Sequence, residues 1–133
     1  MTRQEKNIAI AKMLGYSYQD DKEKSFYNHL RLPNSPEYIK IIPFDSDANW
    51  QYEAIEWIEN LKFKDKKDKL YYFQMNRCYA GIHSIETTID KYRNATDKGW
   101  EYFCNINTTG KDKKEAVFEA LYQFSQHLKN KKQ

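Results

Sequence analysis

The stretch FDSDANWQYEAIEWIENL, residues 44–61, is the clearest amphipathic helix in the chain. Asp45, Ser46 and Asp47 are residue types whose side chains accept bonds from the free N–H groups that open a helix. Their charge also suits the positive end of its dipole. Trp50, Ala54, Trp57, Ile58 and Leu61 then recur at spacings of three, four and seven, which puts them on one face. Glu53, Glu56 and Glu59 follow along another side as an acidic edge turned to water. Burying two indoles and two aliphatic side chains is expected to contribute roughly 6–10 kcal/mol before entropy is counted, enough to anchor a small core.

Upstream, residues 2–14 read as a first helix. Thr2 and Glu5 fit a capping box, Ile8, Ala11 and Leu14 (with Ile10 flanking) give the apolar stripe, and Gly15 is the natural stop. Residues 16–37 are polar and turn-rich, with FYNHLRL at 26–32 as a candidate short strand. YIKII at 38–42 is β-branched and ended by Pro43, which reads as a strand.

Downstream, the charged connector KFKDKKDK (62–69) leads into LYYFQM (70–75), apolar or aromatic on both alternating faces, a pattern that calls for cover on both sides of its sheet. Asn76-Arg77 turns it into CYAGI (78–82), where Cys78, Ala80 and Ile82 share one face with Tyr79 opposite, so the two strands form an antiparallel hairpin. Ser84 to Tyr92 reads as strand or irregular, and Asn94 to Gly99 as a loop. WEYFCNI (100–106) reads as a strand with Trp100, Tyr102, Cys104 and Ile106 on one face and Phe103 on the other. Thr109, with Asp112 three residues on, caps a last helix striped by Val117, Ala120, Leu121, Phe124 and Leu128. Lys129, Lys131 and Lys132 sit at its negative end. This order predicts one α+β domain over residues 1–133, with a small, mainly antiparallel sheet covered by helices on both faces.

Composition narrows the function classes. At 133 residues the chain can bury a core without staples. Its aromatic fraction of 16% sets it apart from disordered chains. A net charge of +3 is too small to argue for nucleic acid by itself. The two cysteines make no disulfide framework, and no C-x-x-C pair occurs. The N-terminal residues carry charges among the apolar ones and do not read as a signal peptide, and no run approaches a membrane span. A reducing cytoplasm, bacterial or that of an infected host, is the expected compartment.

Four stretches carry a family resemblance in order: NIAIAKMLGY (7–16), FDSDANWQYEAIEWIE (44–59), NRCYAGI (76–82) and KKEAVFEALYQF (113–124). Together they resemble the phage ABA sandwich domain, a family of small proteins from bacteriophages and prophage regions. The resemblance implies a three-layer α/β/α sandwich and phage provenance, and it brings no catalytic residues. The chain departs from the pattern in a longer stretch at 84–99 and in a lysine-rich tail where many members carry Trp-Tyr-Asn.

Three side-chain groups are weighed for chemistry. Cys78, His83 and Cys104 would suggest a zinc or thiol site if their strands were neighbours, but they match no ligand signature, and a cysteine on an alternating strand is ordinarily a small core hydrophobe. Lys64, Lys66 and Lys67 in the connector, followed by Tyr71 and Tyr72 and, across the hairpin, Tyr79, combine cations with aromatic platforms, as single-strand binders do. Asp65 and Asp68 interrupt that run, as in a solvated loop. The aromatic surplus also suits a protein interface, including a homodimer through the sheet edge. No Gly-rich phosphate loop and no catalytic constellation stand out, so no cofactor is expected. The expected function is therefore that of a non-catalytic phage or prophage accessory protein, acting by binding a host protein or small ligand, as in counter-defence. The alternatives are single-stranded nucleic-acid binding and a small enzyme.

Overall fold

In the computed structural model, residues 2–18, 29–31, 38–40, 42–61, 70–84 and 103–131 are described. Their elements run α1 (Arg3–Met13), β1 (Ser17–Tyr18), β2 (His29–Arg31), β3 (Tyr38–Lys40), α2 (Ala48–Glu59), β4 (Tyr71–Met75), β5 (Tyr79–Ser84), β6 (Asn105–Thr109) and α3 (Lys113–Lys131). The strands form two three-stranded sheets, β1-β2-β3 and β4-β5-β6, and every pairing is antiparallel. The chain is α+β.

Helix α1 starts where the Glu5 N–H donates to Thr2 Oγ1 at 3.1 Å. It ends where Gly15 takes a φ of 103°, a region open to glycine at little cost. There the Gly15 N–H donates to Lys12 O at 3.0 Å and the Tyr16 N–H to Ala11 O at 3.1 Å, which closes the helix with a Schellman motif. Its buried face centres on Asn7, Ile10 and Ala11, so Ile10 is the middle of the stripe and not its flank.

Helix α2 is capped by Asp47, which accepts from the Asn49 N–H at 2.9 Å and the Trp50 N–H at 3.4 Å. Asp45 has another task. Its Oδ1 accepts from Asn7 Nδ2 at 3.0 Å while its own N–H donates to Asn7 Oδ1 at 3.2 Å, pinning the turn before α2 to α1. The buried face of α2 is Gln51, Ala54, Ile55 and Ile58, with Trp50 and Trp57 half-buried beside it. The expected stripe is thus rotated toward Gln51, because that amide is satisfied inside. Gln51 Nε2 donates to Phe44 O at 2.8 Å and to Lys114 O at 2.9 Å, joining the start of α2 to the start of α3. Glu59, expected to face only water, accepts from the Phe73 N–H at 3.3 Å. It thereby covers an amide of β4, the outer strand of its sheet, which blunts that edge against stray pairing.

The hairpin forms as expected, with Phe73 opposite Ile82 and Met75 opposite Ala80. β6 then pairs with β5 through Ile82 opposite Ile106 and Ala80 opposite Thr108. The inner face so built carries Tyr71, Ala80, Ile82, Cys104, Ile106 and Thr108, all buried. It packs against Ala116, Val117, Ala120, Leu121 and Phe124 of α3. The Thr108 hydroxyl fastens the two layers, lying 2.7 Å from Ala116 O on the helix and 3.1 Å from Ala80 O on the strand.

Three expectations shift. β4 is not aromatic-in on both sides: Tyr71 is buried while Tyr72 and Gln74 are exposed. The last strand is Asn105–Thr109 and runs past the end expected at 106; its alternation (Cys104 and Ile106 in, Phe103 out) is as read, and residues 100–102 of the expected strand lie outside the described residues. Thr109 therefore belongs to a strand, and Asp112 is the cap of α3, with its Oδ1 accepting from the Glu115 N–H at 2.9 Å. Among the described residues α3 packs on the inner face of β4-β5-β6. The loop expected at 94–99 and nearly all of segment 84–92 lie outside the described residues.

The capping assignment is directly testable. Asp112→Ala is expected to destabilise the fold by about 1 kcal/mol in urea unfolding, whereas Thr109→Ala changes it by less than about 0.5 kcal/mol. The reverse ranking would return the cap to Thr109.

Candidate functional site

The pleat that buries one face of β4-β5-β6 turns the alternate residues outward. Register places Tyr72 opposite His83 and His83 opposite Asn105 in one row. The next row is Gln74, Gly81 and Asn107, and Tyr79 pairs with Thr109 beyond it. Phe103 lies further out on the same side of β6. Tyr72 and Phe103 are 37% and 38% exposed, and among the described residues this face carries no carboxylate.

Gly81 organises this face. Without a side chain there, Tyr79 and His83 lean toward each other over the strand, and their Oη and Nε2 atoms stand 3.3 Å apart. A Cβ at Gly81 would overlap the Tyr79 hydroxyl and come within 2.7 Å of His83 Nε2. The Tyr72 ring lies tilted against the His83 ring, with centroids 5.5 Å apart. Three rings from two strands thus form one continuous layer.

Hydrogen bonds give that layer a direction. The single Tyr79 hydroxyl proton is donated to Asn107 Oδ1 at 2.7 Å. With that proton committed, a hydrogen bond between Tyr79 and His83 requires the proton of the ring to sit on Nε2. Asn107 Nδ2 donates in turn to Asn105 Oδ1 at 3.0 Å. With its oxygen engaged, Asn105 points N–H donors to solvent, and both amides are held in fixed orientations. A ring layer flanked by oriented amides is suited to gripping a flat, polar-edged ligand.

The residues named from sequence divide sharply. Tyr72 and Tyr79 are on this face. Tyr71 is not: it is fully buried, its ring edge-on to Phe124 with centroids 5.0 Å apart, and it belongs to the core. Lys64, Lys66 and Lys67 lie outside the described residues. Cys78, His83 and Cys104 do not converge. Cys104 is buried on the inner face with Sγ 3.4 Å from Ile82 O, His83 is on the outer face, and exposed Cys78 is five residues from His83, about 16 Å along an extended chain. Among the described residues no group of His, Cys, Asp and Glu is placed to hold a metal ion.

A second concavity of about 570 Å³ lies between α1, the end of α2 and α3, lined by Ile8, Met13, Trp57, Leu61 and Leu128, with Lys12 and Lys129 at its rim. Its central polar side chains are spent on their own helix: the Ser125 hydroxyl donates to Tyr122 O at 2.6 Å, and Gln126 Nε2 donates to Ser125 Oγ at 3.4 Å. The sheet face, by contrast, keeps donors turned outward.

Asn105 and Asn107 do not stand out in the sequence, and His83 stands out only beside Cys78 and Cys104. A signal was present, since Asn-x-Asn alternates on the strand face opposite Cys104 and Ile106. No family model matches the chain, and neither a curated protein nor a solved structure matches it. Among the described residues no helix is long and apolar enough to cross a membrane.

Gly81→Ala separates the layer from the fold. A methyl there displaces only the ends of two flexible side chains, and alanine suits a strand better than glycine, so stability should stay within about 1 kcal/mol. The side-chain NMR resonances of His83, Asn105 and Asn107 should nevertheless move together. Unchanged resonances would mean that Gly81 does not hold the layer in place.

Proposed function

We propose that this protein is a non-catalytic binding protein that holds a ligand bearing a flat conjugated group on the outer face of β4-β5-β6. One observation carries the reading: Tyr72, His83 and Tyr79 form a continuous ring layer over Gly81 on an open sheet face, next to the oriented amides of Asn105 and Asn107. Stacking supplies affinity on such a surface, and the amides supply discrimination between ligand edges. The hydrogen-bonded chain is built before the ligand arrives, so little ordering cost is left for binding.

Phage provenance belongs to the same proposal and rests on the four motif stretches at 7–16, 44–59, 76–82 and 113–124. In that setting the protein is an accessory factor that sequesters or senses its ligand.

Calorimetric titration with a panel of nucleosides and other heteroaromatic compounds tests the stacking face. Tyr72→Ala should weaken binding of the compounds that register by about 1–3 kcal/mol, with Tyr72→Phe close to wild type. Equal affinity in wild type and Tyr72→Ala would place the site elsewhere.

A further inference from the structure

Resting on that reading, we infer that the ligand of the sheet face is a single-stranded nucleic acid, with bases stacked along the ring layer and backbone phosphates at its hairpin end. Three features point there.

The first is extent. The stacking groups do not form one slot for one ring. Tyr72 and Tyr79 lie at opposite ends of the layer through His83, and Phe103, just before β6, is a further ring with 38% of its surface exposed. A single nucleobase would cover a fraction of this surface, whereas successive bases of an extended strand would use all of it. Stacking of unpaired bases on sheet-borne aromatics is sequence-tolerant, because every base has a π-face.

The second is charge. Among the described residues the outer face carries no Asp or Glu. At its Tyr79 end, the Gly110 N–H donates to Cys78 O at 3.1 Å and brings two chain segments side by side. Arg77 and Lys111 are the next residues outward on those segments, both exposed, and neither forms an ion pair among the described residues. Arg3 and Lys6 are each matched to a glutamate at 2.8 Å, whereas Arg77 and Lys111, like Lys12, Lys113, Lys114 and Lys129, form no ion pair among the described residues. Unmatched cations beside a ring layer suit a ligand that is both flat and anionic.

The third is shape. A shallow hollow lined by Phe73, Gln74, Met75, Asn76 and Tyr79 lies along the β4 edge next to the hairpin turn. A strand leaving the ring layer at Tyr79 would pass over this edge toward the turn. Duplex is disfavoured, because paired bases do not present their faces to a sheet.

Fluorescence anisotropy of the full chain with a labelled oligothymidylate tests this inference, with a mixed-sequence duplex and thymidine monophosphate as the other arms. The oligonucleotide should bind more tightly than either, and log affinity should fall with log salt at a slope of about −1.4, as for two neutralised phosphates. Replacing Arg77 and Lys111 together by Ala should flatten that slope. Tyr72→Ala should lower affinity roughly tenfold or more at every salt concentration while keeping the slope, with Tyr72→Phe as the folded control. If monophosphate and oligonucleotide bind equally, the site takes one nucleotide and the inference fails. If nucleosides bind but the oligonucleotide does not, or its binding ignores salt and the two cations, the inference fails while the stacking face stands. If no stacking ligand binds at all, both fail.

Discussion

The structure depends on the packing of α3 against the inner face of β4-β5-β6. Phe124 meets Tyr71 edge to face, Val117 and Leu121 are buried beside it, and the Thr108 hydroxyl ties strand to helix. Each large side chain buried there contributes about 1.5–3 kcal/mol, so this contact outweighs the surface ion pairs that also join the helices. The remaining elements attach to it. Gln51 fastens α2 to the first turn of α3, and the reciprocal Asn7–Asp45 bonds hold α1 to the turn before α2. With α3 on one side, the pleat has to present its alternate residues on the other.

That asymmetry links the fold to the proposed binding face. A strand residue cannot serve both faces, so burying Tyr71, Ile82 and Ile106 commits Tyr72, His83 and Asn105 to the outside. The outward set is not a random polar surface. The glycine at position 81 makes room for two side chains to meet, and their hydrogen bonds continue through Asn107 to Asn105. The surface is ordered by protein groups alone, as a preorganised binding face requires.

Much of the fold was legible in the sequence because it is local. The Asp47 cap, the Gly15 stop and the two-residue alternation of the hairpin each follow from chemistry within a few positions. What was not legible depended on distant partners. Gln51 looks like a surface residue until Lys114 O is brought to it, and Glu59 looks solvated until β4 offers it an amide. The end of β6 was placed too early because Thr109 is an equally good strand residue and helix cap, and only pairing with Tyr79 decides between them. The site was half legible. Tyr72 and Tyr79 stood out by composition, but Tyr71 was grouped with them because adjacent tyrosines look alike until the pleat assigns one to each face.

The central claim is that the inner face of this sheet is structural and the outer face meets the ligand. Mapping NMR chemical-shift changes on the isotope-labelled protein during titration with oligothymidylate tests it most directly. The account predicts changes at Tyr72, His83, Asn105 and Asn107, fading to none at Met13, Trp57 and Leu61 around the interhelical groove. Changes centred on that groove, with the outer face silent, would contradict it.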